Sequence, residues 1–147
     1  MPGERVFTAN DSRAVSTAIT VMQLTAAATH VVEILRMWVT QESSTASAQT
    51  AVSVVRQTDA GTMTAITEVE HASAGPADAT AFRTATVEPT TTDTILIEGF
   101  NVLNGWLYLP VPEERIWIPP SGSVGLKFPD VPPSVTYNYG ITWREVG

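Results

Sequence analysis

The chain contains no cysteine, only one lysine (Lys127) and only two histidines (His30 and His71) among its 147 residues. Without cysteine there can be neither a disulfide framework nor a thiolate metal site. Charged residues make up 16% of the chain, well below the roughly 25% of an average soluble domain. The seven arginines are scattered from Arg5 to Arg144, and the formal net charge is −7. A nucleic-acid binder needs a clustered basic footprint to neutralise phosphates, and the same acidity disfavours anionic membrane surfaces, so neither partner is expected. No long hydrophobic run is present either. The least polar stretch, Ala26–Val39, is interrupted by His30, Glu33 and Arg36, which excludes a membrane-spanning helix there. The opening MPGERVFTANDS has no basic segment followed by an apolar core, so no secretory signal is read and synthesis in a cytoplasm is expected. Asn10-Asp11-Ser12 formally matches a glycosylation acceptor but reads as a turn.

What the chain does have is Thr, Ser and Ala, with apolar residues at 44%. Threonine favours strands and offers a neutral polar face, so a Thr-rich, low-charge surface suits sheets that pack against other protein. The length fits one domain with a single core. Met1–Arg13 reads as an exposed N-terminal arm with a short edge strand at Val6-Phe7-Thr8, and 14–147 as the domain proper.

The most informative stretch is Thr94–Phe128. Thr94–Ile97 is apolar and β-branched, Asn104-Gly105 accepts the positive φ angles of a tight hairpin turn, and Trp106–Leu109 follows as a strand stopped by Pro110 and Pro112. Ile116–Ile118 and Ser123–Phe128 are further strands separated by Pro119-Pro120-Ser121-Gly122. Before this stretch, strands are expected at Thr17–Leu24, His30–Glu42, Ala51–Thr58, Thr62–Glu70 and Ala81–Val87, with a surface loop at His71–Asp78. In His30–Glu42, strict alternation places Val32, Ile34, Arg36 and Trp38 on one face. The same segment carries a helical stripe at Val31, Ile34, Leu35 and Trp38, but its β-branched content favours a strand. Val135–Val146 closes the chain as one long strand, with Val135, Tyr137, Tyr139 and Ile141 alternating. Short strands, regular turn signals and no helix of useful length point to an all-β, two-sheet antiparallel sandwich, with jelly-roll or similar Greek-key order the natural solution.

Chemistry is sparse. Glu68, Glu70 and His71 form the one His/carboxylate group, but on a strand the two glutamates and the histidine point to opposite faces, so no metal site is expected. Ser121-Gly122-Ser123-Val124-Gly125 has the wrong spacing for a hydrolase elbow and follows a Pro-Pro turn. Gly61 and Gly75 are isolated, so no phosphate-cradling loop is present. Two histidines cannot build a histidine-rich metal centre. No catalytic residue and no cofactor are expected. The tryptophans (Trp38, Trp106, Trp117 and Trp143) fall on four different expected strands, and core packing is the default for them. Trp117, on a short Pro-flanked strand, is the best interface candidate; Arg115, Phe7 and Val6 are the others.

The segment GFNVLNGWLYLPVPEERIWIPPSGSVGLKF, together with the earlier VVRQTDAGTMTAIT, resembles the small jelly-roll head decoration (cement) proteins of tailed bacteriophages. The positions that carry the likeness are Arg56, Gly61 and Thr62, then Gly99, Phe100, Gly105, Trp106, Pro110, Pro112, Glu113, Glu114, Arg115 and Pro119. The resemblance implies a homotrimer on the capsid exterior of a virion that locks neighbouring major capsid proteins together, with no active site. The spread of Trp and Tyr leaves a second reading open, a carbohydrate- or receptor-binding head of a phage fibre or cell surface.

Overall fold

The computed structural model describes residues 5–73 and 75–147. Twelve strands form two antiparallel sheets packed face to face: β1 (Arg5–Val15), β2 (Thr20–Thr25), β3 (Val31–Gln41), β4 (Gln49–Gln57), β5 (Thr62–Ile66), β6 (Val69–Glu70), β7 (Thr80–Val87), β8 (Thr91–Asn101), β9 (Trp106–Tyr108), β10 (Trp117–Ile118), β11 (Ser123–Lys127) and β12 (Val135–Val146). One sheet runs β10-β3-β12-β1-β6, with β9 also on β3, and the other runs β5-β7-β2-β11-β4-β8. Among the described residues the one helical element is a single 3₁₀ turn at Pro112–Glu114.

Counting β9 and β10 as one strand interrupted by residues 109–116, and setting β5–β7 aside, leaves eight principal strands. Their order is first, last, third and sixth in one sheet, and second, seventh, fourth and fifth in the other. That is the double Greek key of a jelly roll. The β5–β7 segment is an insertion between the fourth and fifth of these strands. It extends one sheet beyond β2 through β7 and caps the other beyond β1 through β6.

The core is built from the inward faces. Along β12, Tyr137, Tyr139, Ile141 and Trp143 are all buried, as the alternation of that segment requires. Phe7 stacks on Trp143 with centroids 5.8 Å apart, and Phe128 meets Tyr137 at 5.0 Å. Met22, Leu24, Val54, Val124 and Leu126 supply the opposing layer. Burial pushes the Tyr137 and Tyr139 hydroxyls up to about 12. Each still has an acceptor, the Pro133 carbonyl for Tyr137 (2.7 Å) and the Asp11 carboxylate for Tyr139 (3.0 Å).

Several expectations change, among them the turn at Asn10-Asp11-Ser12, which lies in the middle of β1, paired with Asn138–Gly140. The N-terminal arm is no arm from Arg5 onward: β1 pairs with β12 at eleven successive positions, from Arg5↔Glu145 to Val15↔Val135, and lies inside its sheet; residues 1–4 lie outside the described residues. Its alternating apolar residues Phe7 and Ala9 are buried, which makes the strand part of the core. The strand expected over Thr62–Glu70 breaks after Ile66, and Val69-Glu70 crosses to the other sheet as β6. Alternation along β3 also slips. Thr142 pairs with Arg36 and Trp143 with Ile34, so Leu35 is an extra, bulged residue. Val32 and Ile34 face the core before the bulge and Met37 and Val39 after it, which turns Arg36 and Trp38 outward.

Candidate interaction surface

The expected turn at Asn104-Gly105 forms, with Gly105 at φ +76° and its amide donating to the Asn101 carbonyl at 3.1 Å. This turn sets β9 against β3, Leu107 opposite Trp38. On the other side of β3, Trp38 lies opposite Gly140. Its indole lies against that glycine, where a Cβ would stand well under 3.0 Å from two ring carbons. The Arg36 guanidinium lies 4.6 Å from the Trp38 ring centroid. Arg36, Trp38, Thr40, Asn104, Gly105, Trp106 and Leu107 line a shallow depression of about 220 Å³ on this outer face.

Trp106 itself is buried; its Nε1 donates to Glu98 (2.9 Å) and its ring stacks on Tyr108 at 6.2 Å. The Tyr108 hydroxyl donates to the Glu114 carbonyl (2.8 Å), tying the Pro112–Glu114 turn back to β9. Burial, then the nearby Glu114 charge, raises the Tyr108 hydroxyl above its ordinary value. Beyond the turn, Glu33 accepts from Arg115 at 3.2 Å and from Arg144, and it is 2% exposed. A carboxylate buried this deeply needs both partners to offset its lost hydration.

Around this frame the surface is apolar. Leu107 (55% exposed), Leu109 (68%), Val111 (56%) and Trp117 (43%) lie on β9, β10 and the link between them, and Ile97 (60%) lies on the neighbouring edge strand β8. The interface candidates are thus divided. Trp117 is exposed, and its carbonyl accepts from Arg56 (3.3 Å). Arg115 is committed to Glu33. Val6 is half-buried on the far side of the sheet, where its carbonyl accepts from the His71 amide. Phe7 is fully buried against Trp143 and is not available to an interface; the strand pairing of β1 turns it inward. Sequence reasoning missed Arg36 and Trp38 as a surface pair, because strict alternation puts them on one face with Val32 and Ile34, and the bulge at Leu35 separates the two pairs.

The sparse chemistry resolves into structural roles. Glu70 pairs with Arg5 (3.0 Å) and accepts from Ser73 and the Gly75 amide. These hydrogen bonds, the Arg5 one foremost, hold its carboxyl down to about 2. Glu68 accepts from the Ala77 amide (2.8 Å), and Glu145 from the Asp78 and Ala79 amides (3.0 and 2.7 Å). Three carboxylates therefore hold down the connection from β6 to β7. His71 bonds Thr8 (2.7 Å) instead of meeting either glutamate, and no group of three or more metal-ligating side chains occurs among the described residues. Ser121 sits at φ +61° in the turn before β11, and Ser123 bonds Thr25 across the ladder. No helix among the described residues is long and apolar enough to cross a membrane.

The strand order defines a jelly-roll sandwich with one apolar edge. Searches of protein-family models, curated proteins and solved structures found no match to this chain.

Proposed function

We propose that the protein is a non-enzymatic structural component of a virion, a decoration protein that forms a homotrimer and binds the major capsid protein on the outer head surface. The observation that carries this reading is the exposed apolar edge of Leu107, Leu109, Val111 and Trp117 beside the open strand β8. Aromatic and aliphatic side chains left in water at a sheet edge favour burial against protein. The resemblance of the Gly99–Phe128 segment to head decoration proteins points the same way and supplies the partner. Light scattering on the purified chain should give three times the monomer mass, and the chain should sediment with empty heads. A protein that stays monomeric at high concentration and does not bind heads would refute the reading.

A second reading, a carbohydrate-binding head, draws support from one observation. Trp38 is half-buried beside a depression that also offers Arg36, Thr40 and Asn104 as hydrogen-bonding groups. A glycan array with no signal lost on Trp38→Ala would remove it.

A further inference from the structure

Two halves of a complementary contact lie on the β9–β10 edge, and they do not meet within the chain. The first is the depression centred on Arg36 and Trp38. In a chain with seven excess negative charges, Arg36 is exposed and has no carboxylate within salt-bridge distance among the described residues; its contact is the Trp38 ring. The second is the turn Val111-Pro112-Glu113-Glu114. It projects two exposed carboxylates behind two exposed apolar residues, Leu109 and Val111, and neither carboxylate is ion-paired among the described residues. The turn is held in shape by two prolines and by the Tyr108–Glu114 hydrogen bond, so little conformational freedom is lost on docking.

We infer that the occupant of the depression is a second copy of this chain, which inserts its Val111–Glu114 turn so that Glu113 or Glu114 meets Arg36 and Val111 packs on Trp38 and Leu107. This inference rests on the decoration reading and names the contact that builds its oligomer. Charge selects the occupant: the cation is on the socket and the carboxylates are on the knob, so unlike patches attract and like patches repel. In the trimer of that reading each copy gives its knob to one neighbour and its socket to the other, a head-to-tail contact that closes around a three-fold axis. A desolvated Arg beside a Trp is the residue pair on which interface energy concentrates.

The test uses the full chain by light scattering across a concentration series. Arg36→Glu alone, and Glu113→Arg with Glu114→Arg, should each raise the dissociation constant at least about 30-fold, equivalent to about 2 kcal/mol. Combining the three substitutions should restore the trimer, because the pairing is then reversed but complementary. Circular dichroism should be unchanged in every variant, since all three positions are exposed. Because the chain has no cysteine, Leu107→Cys and Val111→Cys chains mixed under oxidation give an independent readout, a covalent dimer containing one of each. A trimer indifferent to both reversals, with no mixed cross-link, overturns this contact and leaves the decoration reading intact. A monomeric wild type that binds empty heads through Arg36 assigns the depression to the capsid subunit and overturns self-association. A monomer that binds no heads overturns both.

Discussion

Gly140→Ala tests whether Trp38 is held against its sheet. The added methyl would stand well under 3.0 Å from two carbons of the indole and 2.9 Å from the Ala9 carbonyl oxygen. Non-bonded carbons settle at about 3.5–4.0 Å, so the ring must move by roughly 1 Å or more. Overpacking of this kind costs about 1–3 kcal/mol. Against it stands the reduced backbone entropy of an unfolded alanine, worth about 0.4–1 kcal/mol in favour of the variant. The net expectation is a loss of roughly 0.5–2 kcal/mol. Urea unfolding at constant m measures it directly, and tryptophan fluorescence should shift to the red as the indole lifts into water. The decisive comparison is the same substitution in a Trp38→Ala background. There only the Ala9 carbonyl remains in the way, and the loss should shrink by about 1 kcal/mol, a coupling well outside the additivity of independent sites. Equal losses in both backgrounds, with unshifted fluorescence, would show that the glycine serves the backbone alone.

Other outcomes follow from the same structure. Glu70 has a folded pKa of about 2, below its unfolded value, so its contribution is full above roughly pH 5 and is lost as pH falls toward 2; Glu70→Gln should flatten the acid limb of a stability-versus-pH series, and an unaltered limb would contradict the Arg5 pairing. Tyr137 and Tyr139 are raised to about 12, above the roughly 10 of an unfolded tyrosine, so their contribution is complete below pH 10 and is lost as pH rises through 12. Spectrophotometric titration should accordingly show two of the three tyrosines ionising late, together with unfolding. Phe7→Ala should cost about 3–5 kcal/mol by opening a cavity against Trp143. Were β1 an arm, the same change would be nearly neutral in a thermal melt.

The strands that were legible in the sequence are those whose own pattern is sufficient. Val135–Val146 reads correctly end to end because four large residues at period two mark its buried face. The turn at Asn104-Gly105 reads because its chemistry is local, but it closes no hairpin: β8 pairs with β4 in one sheet and β9 with β3 in the other, so the turn carries the chain between the sheets. What could not be read depends on partners distant in the chain. Nothing within Arg5–Val15 announces a strand paired along its full length, since its second half, Asn-Asp-Ser-Arg, is polar; its ladder is supplied by residues 135–145. The bulge at Leu35 is likewise a property of two strands and not of one, and it puts Arg36 and Trp38 on the face opposite to Val32 and Ile34. Of the residues singled out in the sequence, Trp117 is exposed on this edge, while Arg115 is turned to Glu33.

The placement of the insertion decides which sheet edges are covered. A jelly roll of eight strands leaves open edges on two sides: the first and second strands on one, the fifth and sixth on the other. Here β6 covers part of β1, and β7 with β5 extends the sheet beyond β2, while the loops at Asp59 and Glu88 bond to Gln23 and Thr20 on the outer face. The residues between β4 and β8 therefore go to closing the first side. On the second side, β8, β9 and β10 carry no covering segment among the described residues, and this is where Ile97, Leu107, Leu109, Val111 and Trp117 lie exposed. Natural sheets blunt open edges with lysines, inward charges or short strands. β8 runs for eleven residues and carries only Asp93 and Glu98 as charges. The insertion side exposes Val69 and Val87 singly, whereas Leu107, Leu109, Val111 and Trp117 fall on one link and its two flanking strands, so the larger apolar cluster lies on the side that the insertion leaves uncovered.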